Sequence, residues 1–239
     1  IIVCAVPEGL PLMISIVLMQ NTSKMLDHNV LVRKAEGIET AGALNILFSD
    51  KTGTITKGEL EVVEFFTADG TAVPFSDLKR YPALCQALDI AIGRNSSSMY
   101  DRNHRVIGGN ATDQALMKFL GEESYRKLQE DDTLQVTEAQ KFNSANKFSQ
   151  AQIGSRTYYK GAPERLLQKA VRYLGTDGQT HPLDLALLNS KIDMLAGKAM
   201  RVLAFGYADC PMEADRVGDG LVLIGLTAIR DDVRPEART

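Results

Sequence analysis

The sequence lacks the features that would place it in several large protein classes. Cysteine is scarce: Cys4, Cys85 and Cys210 are odd in number, far apart and without CxxC or Cys/His spacing. That excludes a disulfide scaffold and a structural zinc site, and it fits a reducing compartment. Positive charge is not in excess, with 27 Lys+Arg against 30 Asp+Glu and a formal net charge of -3, so there is no overall basic field for nucleic acid. No internal repeat and no low-complexity segment interrupts the chain, which argues against a solenoid or a linker-rich protein. The start has no initiating methionine, basic leader or small-residue cleavage site, so a secretory signal does not fit and the chain reads as a piece of something longer.

What is present is a chain of 239 residues, 44% hydrophobic and 24% charged, enough for one or two folded domains with a core of their own. The first twenty residues, IIVCAVPEGLPLMISIVLMQ, carry a single charge, Glu8, over about the length of a bilayer-spanning helix. Lys24, Arg33 and Lys34 follow, as basic residues do at cytoplasmic ends of membrane helices. Residues 1–20 are therefore expected to be part of a transmembrane helix surrounded by lipid, with everything after about residue 20 in the cytosol. Pro7 and Pro11 interrupt the run, which also suits a buried soluble helix. An ionisable residue inside a membrane segment is costly, and Pro7 and Gly9 loosen the backbone on either side of Glu8. A carboxylate beside freed carbonyls suits a hard cation. A kinked helix with Glu8 facing interfacial water accounts for the same residues.

Beyond the basic flank, ALNILFS (residues 43–49) reads as a parallel strand buried on both faces, with DKTGT at its carboxyl end, where open α/β sheets display reactive groups. A strand follows over residues 59–66, closed by Ala68-Asp69-Gly70, then a helix over 76–92 capped by Ser76. Residues 93–110 read as a loop, after which Asn110 caps a helix through Ala115, Leu116 and Phe119. Strands are expected within 134–160, with a hairpin at Gly154-Ser155, then a short helix opened by Pro163 and another over 184–199. RVLAFGYA (201–208) and LVLIGLTAI (221–229) are the last strands, joined by a polar loop over 209–220.

A strand-end aspartate followed by Lys-Thr-Gly-Thr suits nucleophilic attack on phosphorus, since nearby amides can hold phosphoryl oxygens. SDKTGTIT resembles the phosphorylation signature of P-type cation-transporting ATPases. Four other stretches agree in order: PEGLP (7–11) resembles the ion-binding break of the fourth membrane helix, NATDQAL (110–116) and FNSANKFS (142–149) two nucleotide-domain segments, and KGAPE (160–164) the nucleotide-domain signature. DDVRPE (231–236) resembles the return into the phosphorylation domain. The resemblance implies an α/β fold: a partial haloacid-dehalogenase-like phosphorylation domain with a large inserted α/β nucleotide-binding domain, preceded by part of a transmembrane helix. Its implied boundaries are 1–20 for the membrane segment, 21–58 for the stalk and first part of the phosphorylation domain, 59–226 for the nucleotide-binding domain and 227–239 for the truncated return.

The same resemblance implies roles. Asp50 would accept the γ-phosphoryl group of ATP, Lys51 and Thr52 would help hold it, and Asp50 with the main-chain oxygen of Thr52 would bind Mg2+. Phe142 would stack on adenine with Asp113 near the ring, and Lys147, Lys160, Gly161 and Arg201 would surround the nucleotide. Asp231 and Arg234 would lie at the hinge near the phosphates. Glu8, with the main-chain oxygens of Val3, Cys4 and Val6, would hold the transported ion. PEGLP points to Ca2+, with Na+/K+, Mg2+ and Mn2+ pumps as alternatives. The expected partners are nucleotide, membrane lipid and the remaining domains of the same pump. Plainer readings exist for these residues: Phe142 as strand core, Lys147 and Arg201 as solvated strand-end charges, Asp113 as the capping acid of a helix. A soluble phosphatase of the haloacid-dehalogenase-like superfamily is a further alternative, though Thr52 stands where those enzymes commonly carry a second aspartate.

Overall fold

The computed structural model describes residues 9–34 and 36–238, in two compact units, Ile1–Ser49 and Asp50–Thr239. In the first unit, helix α1 spans Gly9–Asp27 and helix α2 spans Glu36–Gly42. The hydroxyls of Ser15 and Thr22 donate back to the carbonyls of Pro11 and Leu18, which lets polar side chains sit in an apolar stretch. Among the described residues no helix is long and apolar enough to cross a membrane. The continuous apolar run of α1 ends at Met19, and the polar stretch Gln20–Lys24 followed by Met25, Leu26 and Asp27 completes the helix. Residues 1–8 of the expected span lie outside the described residues.

Nor does ALNILFS form a strand: residues 43–49 enter no ladder, and Phe48 is 93% exposed. A run buried on both faces needs a neighbour on each edge, and among the described residues every strand comes from Thr56 onward. The parallel sheet expected around DKTGT is therefore not assembled among them.

The second unit is built on an eight-stranded sheet in the order β4-β5-β6-β9-β10-β7-β8, with β1 also pairing β10. These strands are β1 (Thr56–Phe66), β4 (Val136–Asn143), β5 (Phe148–Ile153), β6 (Arg156–Gly161), β7 (Ala170–Leu174), β8 (Thr180–Pro182), β9 (Arg201–Ala208) and β10 (Leu221–Val233). Its pairings are antiparallel except β10 with β7, so this is a mixed α/β fold. Alternation along the strands divides two apolar layers. Phe65, Leu203, Phe205 and Ile224 face a cluster holding Leu84, Leu88, Ile92, Leu116 and Met117. Phe66, Val202, Ala204 and Leu223 face one holding Leu166, Leu188 and Leu195. The first layer is covered by α3 (Pro82–Gly93), α4 (Ala111–Leu120) and α5 (Glu122–Glu130), the second by α6 (Pro163–Leu166) and α7 (Leu185–Gly197).

Several local expectations change. The helix expected over 76–92 is split into a 3-10 turn, Phe75–Arg80, and α3, because Pro82 fits a first helical turn and keeps Tyr81 out of helical geometry. Ser76 accordingly caps nothing and its hydroxyl bonds Asp77. The loop over 93–110 contains a small hairpin, β2 (Ser98–Tyr100) with β3 (Val106–Gly108). Helix α5 and strands β7 and β8 had no counterpart in the sequence reading. The Asn110 cap, the Gln152–Thr157 hairpin and the Pro163 helix start stand where expected.

Candidate functional site

Strands β6 and β9, the start of α4 and the β4–β5 turn enclose a cavity of about 610 Å³. Asp113, Phe142, Lys147, Lys160, Gly161 and Arg201, six of the residues singled out in the sequence, all line it. Asp113 and Lys160 form its floor. The Asn110 side chain accepts from the Asp113 amide at 2.9 Å, so Asp113 sits in the first turn of α4 as a capping acid does. The same geometry turns its carboxylate inward, where it accepts from the Ser97 amide at 3.3 Å and from Lys160 Nζ at 2.6 Å. Lys160 also donates to the Asn95 carbonyl at 2.6 Å. Both ionic side chains are about 95% buried. Burial pulls the Lys160 amine below its ordinary value, and the Asp113 carboxylate opposes that shift.

The wall residues have individual reasons for their places. Phe142 lies near the end of edge strand β4 and is 50% exposed, so it is not the core residue that a strand phenylalanine ordinarily is. Lys147 adopts φ 61°; its amide donates to Asn143 O at 2.7 Å and its carbonyl accepts from Ala162 N at 2.9 Å. Its ammonium pairs with Glu164 at 3.0 Å. Arg201 opens β9 and donates to the Thr112 hydroxyl at 2.7 Å. Gly161 is required by packing: a Cβ there would stand 2.5 Å from Phe148 Cβ and 2.6 Å from Lys147 O. Thr112, Val202 and Leu203 also line the cavity. Thr112 lay within the quoted NATDQAL segment, whereas Val202 and Leu203 are ordinary strand residues with no signal of their own.

An exposed aromatic ring, apolar strand walls, two cationic side chains near the surface and a buried ion pair suit a planar heterocycle carrying an anionic tail. The volume is in the range of small-molecule sites. These residues therefore fit ATP.

The other predicted residues gather at the DKTGT turn. Asp50 accepts from the Lys51 amide at 2.7 Å, and the turn over Lys51–Ile55 reverses at Gly53, φ 79°. The Thr56 hydroxyl donates to Asp231 Oδ2 at 2.6 Å, and the Gly58 amide donates to Oδ1 at 3.0 Å. Arg234 donates its amide to Ile55 O and its guanidinium to Thr56 O and Gly53 O, at 2.9 to 3.2 Å. Asp231 and Arg234 thus clasp the backbone of the turn. Asp50, Lys51, Thr52, Asp231 and Arg234 do not line the cavity. Among the described residues no group of three or more His, Cys, Asp or Glu side chains converges on a metal position. Asp50 and Thr52 provide two of the roughly six oxygens that Mg2+ takes, so they do not make a magnesium site by themselves. Val3, Cys4, Val6 and Glu8 lie outside the described residues.

Residues 83–236 match the family described as P-type ATPase, cytoplasmic domain N. The whole chain is 31% identical to a plasma-membrane-type protein of Oryza sativa subsp. japonica named Calcium-transporting ATPase 7, covering 25% of it. It is 27% identical to Calcium-transporting ATPase 1 of Saccharomyces cerevisiae over 99% of the chain and 28% of that protein. With Calcium-transporting ATPase PAT1 of Dictyostelium discoideum the identity is 31%, over 99% of the chain and 22% of that protein. The chain spans about a quarter of the length of these curated relatives.

Proposed function

Since this chain belongs to the P-type ATPase family, we propose that its cavity binds ATP and that the whole protein uses the nucleotide to drive a cation, Ca2+, across a membrane. The convergence of the six expected residues on one cavity carries the nucleotide reading. Adenine stacks on Phe142, Asp113 and Lys160 form the polar floor beneath it, and Lys147 and Arg201 meet the phosphates. Nucleotide binding is the task of residues 59–226, with β1 and β10 leading to the DKTGT turn.

At that turn the Asp50 carboxylate is the nucleophile. One of its oxygens attacks the γ-phosphorus, the bond to the β,γ-bridging oxygen breaks, and ADP leaves with that electron pair, as aspartate carboxylates of ATPases do. Lys51 and Thr52 hold the transferred group. Asp50 and the Thr52 carbonyl would hold Mg2+ together with the phosphate oxygens of the nucleotide, and the ion would supply neutralisation of phosphate charge. Calcium as substrate is supported by the names of the curated relatives and by the carboxylate in PEGLP. Glu8, with main-chain oxygens of Val3, Cys4 and Val6, then provides hard ligands within a membrane segment over residues 1–20.

Calorimetry on the 239-residue chain tests the nucleotide reading. ATP should bind, and Phe142→Ala should weaken binding by about 5- to 150-fold, the equivalent of one base-aromatic stack. Absence of binding in the parent, or equal affinity in the variant, would refute it.

A further inference from the structure

Asn95 lies just beyond α3, in a segment whose Ser and Asn content reads as a simple loop, yet only 6% of its surface is exposed. A buried amide is costly unless bonded. Its Nδ2 donates to Ser149 O on β5 at 3.1 Å and to Tyr158 O on β6 at 3.5 Å. Ser149 stands opposite Lys160 in the β5–β6 register, so the amide is anchored at the rung from which Lys160 leaves the sheet. The backbone beside that anchor serves both members of the buried ion pair. The Asn95 carbonyl accepts from Lys160 Nζ at 2.6 Å, and two residues on, the Ser97 amide donates to Asp113 Oδ2 at 3.3 Å. Asn95 itself does not line the cavity.

Resting on the nucleotide reading of that cavity, we infer that Asn95 is a positioning residue for Lys160. An ammonium has three N–H donors, of which Asp113 and Asn95 O occupy two, leaving one for a ligand in the cavity. With the Asn95 amide bonded to two strands, the carbonyl cannot drift and the ammonium cannot swing. An apolar residue at position 95 would fill the same space without holding the carbonyl. Asp113, from α4, is the charged group in contact with Lys160, and Lys147 and Arg201 are the other cations lining the cavity.

The test uses the 239-residue chain and its Asn95→Ala and Asn95→Ser variants, the second keeping a short donor in case the first fails to fold. Acetylation of Lys160 by acetic anhydride is followed by peptide mass spectrometry as a function of pH, alongside ATP calorimetry. In the parent, Lys160 should react slowly and titrate below the free-lysine value of about 10.4. In either variant the released segment admits water, so the lysine should titrate higher and react faster, and ATP affinity should fall by about 2- to 10-fold, the range of one lost hydrogen bond. An unchanged Lys160 profile in a folded variant, or a shifted profile with undiminished ATP affinity, overturns the proposal. A parent that binds no ATP overturns the nucleotide reading instead, and the acetylation profile still decides whether Asn95 positions Lys160.

Discussion

Replacing Asp113 by alanine strands the Lys160 ammonium inside the domain with the Asn95 carbonyl as its remaining acceptor. Removing one partner of a buried pair leaves an uncompensated charge and costs about 3–5 kcal/mol. At the size of this chain that corresponds to a fall in melting temperature of roughly 6–20 °C. The pH dependence carries a sign that separates this mechanism from simple loss of packing. Lys160 is already held below its ordinary value by burial, and losing Asp113 removes the interaction that opposed the shift. A lysine depressed in the folded state destabilises fully below its folded pKa, and the penalty fades as pH rises toward the unfolded value of about 10.4. Asp113→Ala should therefore be worst at neutral pH and should approach the parent in alkali. Replacing both partners, Asp113→Leu with Lys160→Met, removes the charge altogether and should return stability to within about 1 kcal/mol of the parent or above it. Urea denaturation followed by circular dichroism at several pH values measures all three proteins. A single-variant loss under about 1 kcal/mol, or a loss equal at neutral and alkaline pH, refutes the reasoning.

Gly161→Ala should cost about 1–3 kcal/mol in the same assay, because the added Cβ meets backbone and Cβ atoms that cannot swing aside; unchanged stability would show that β5 yields. Thr56→Val leaves one Asp231 oxygen without its 2.6 Å donor and should speed amide hydrogen exchange over residues 51–58, whereas exchange like the parent's would mean that the clasp does not order the turn. On the proposed reading of Asp50, Asp50→Asn in the whole protein should abolish acid-stable, hydroxylamine-sensitive labelling from γ-labelled ATP, and any label that persists places phosphorylation on another residue.

The sequence was most legible where one local rule decided the outcome. Asn110 has an acid three positions on and forms the expected cap, and Pro163 opens the helix where a missing amide costs little. It was least legible where the partner decides. ALNILFS has the composition of a buried strand, but nothing in seven residues says which strand will lie beside it, and no ladder forms there. Helix α5 was missed because EESYRKLQE turns only Tyr125 and Leu128, one turn apart, toward the core, and two apolar positions in nine residues are a short stripe to read. At the candidate site, motif resemblance located the charged and aromatic residues. Local pattern could not have done so, since Phe142 looks like core until β4 is seen to be an edge. Asn95 escaped both kinds of reading, for its role depends on two carbonyls more than fifty residues away.

Strands β1 and β10 bring the chain into and out of the sheet side by side, with Thr56 opposite Val233 at one end of the ladder and Phe66 opposite Leu226 at the other. A tension that separates residues 56 and 233 acts across this ladder and not along it, so the rungs are loaded one after another instead of in parallel. Such a zipper opens at low force, starting at the Asp231 and Arg234 clasp, while the strands beyond Phe66 feel almost nothing. The outer rungs, Thr56 with Val233 and Leu60 with Asp231, can thus yield and re-form at the turn while Ile229, Ala228 and Thr227 stay paired with Arg201, Val202 and Leu203 in the cavity wall.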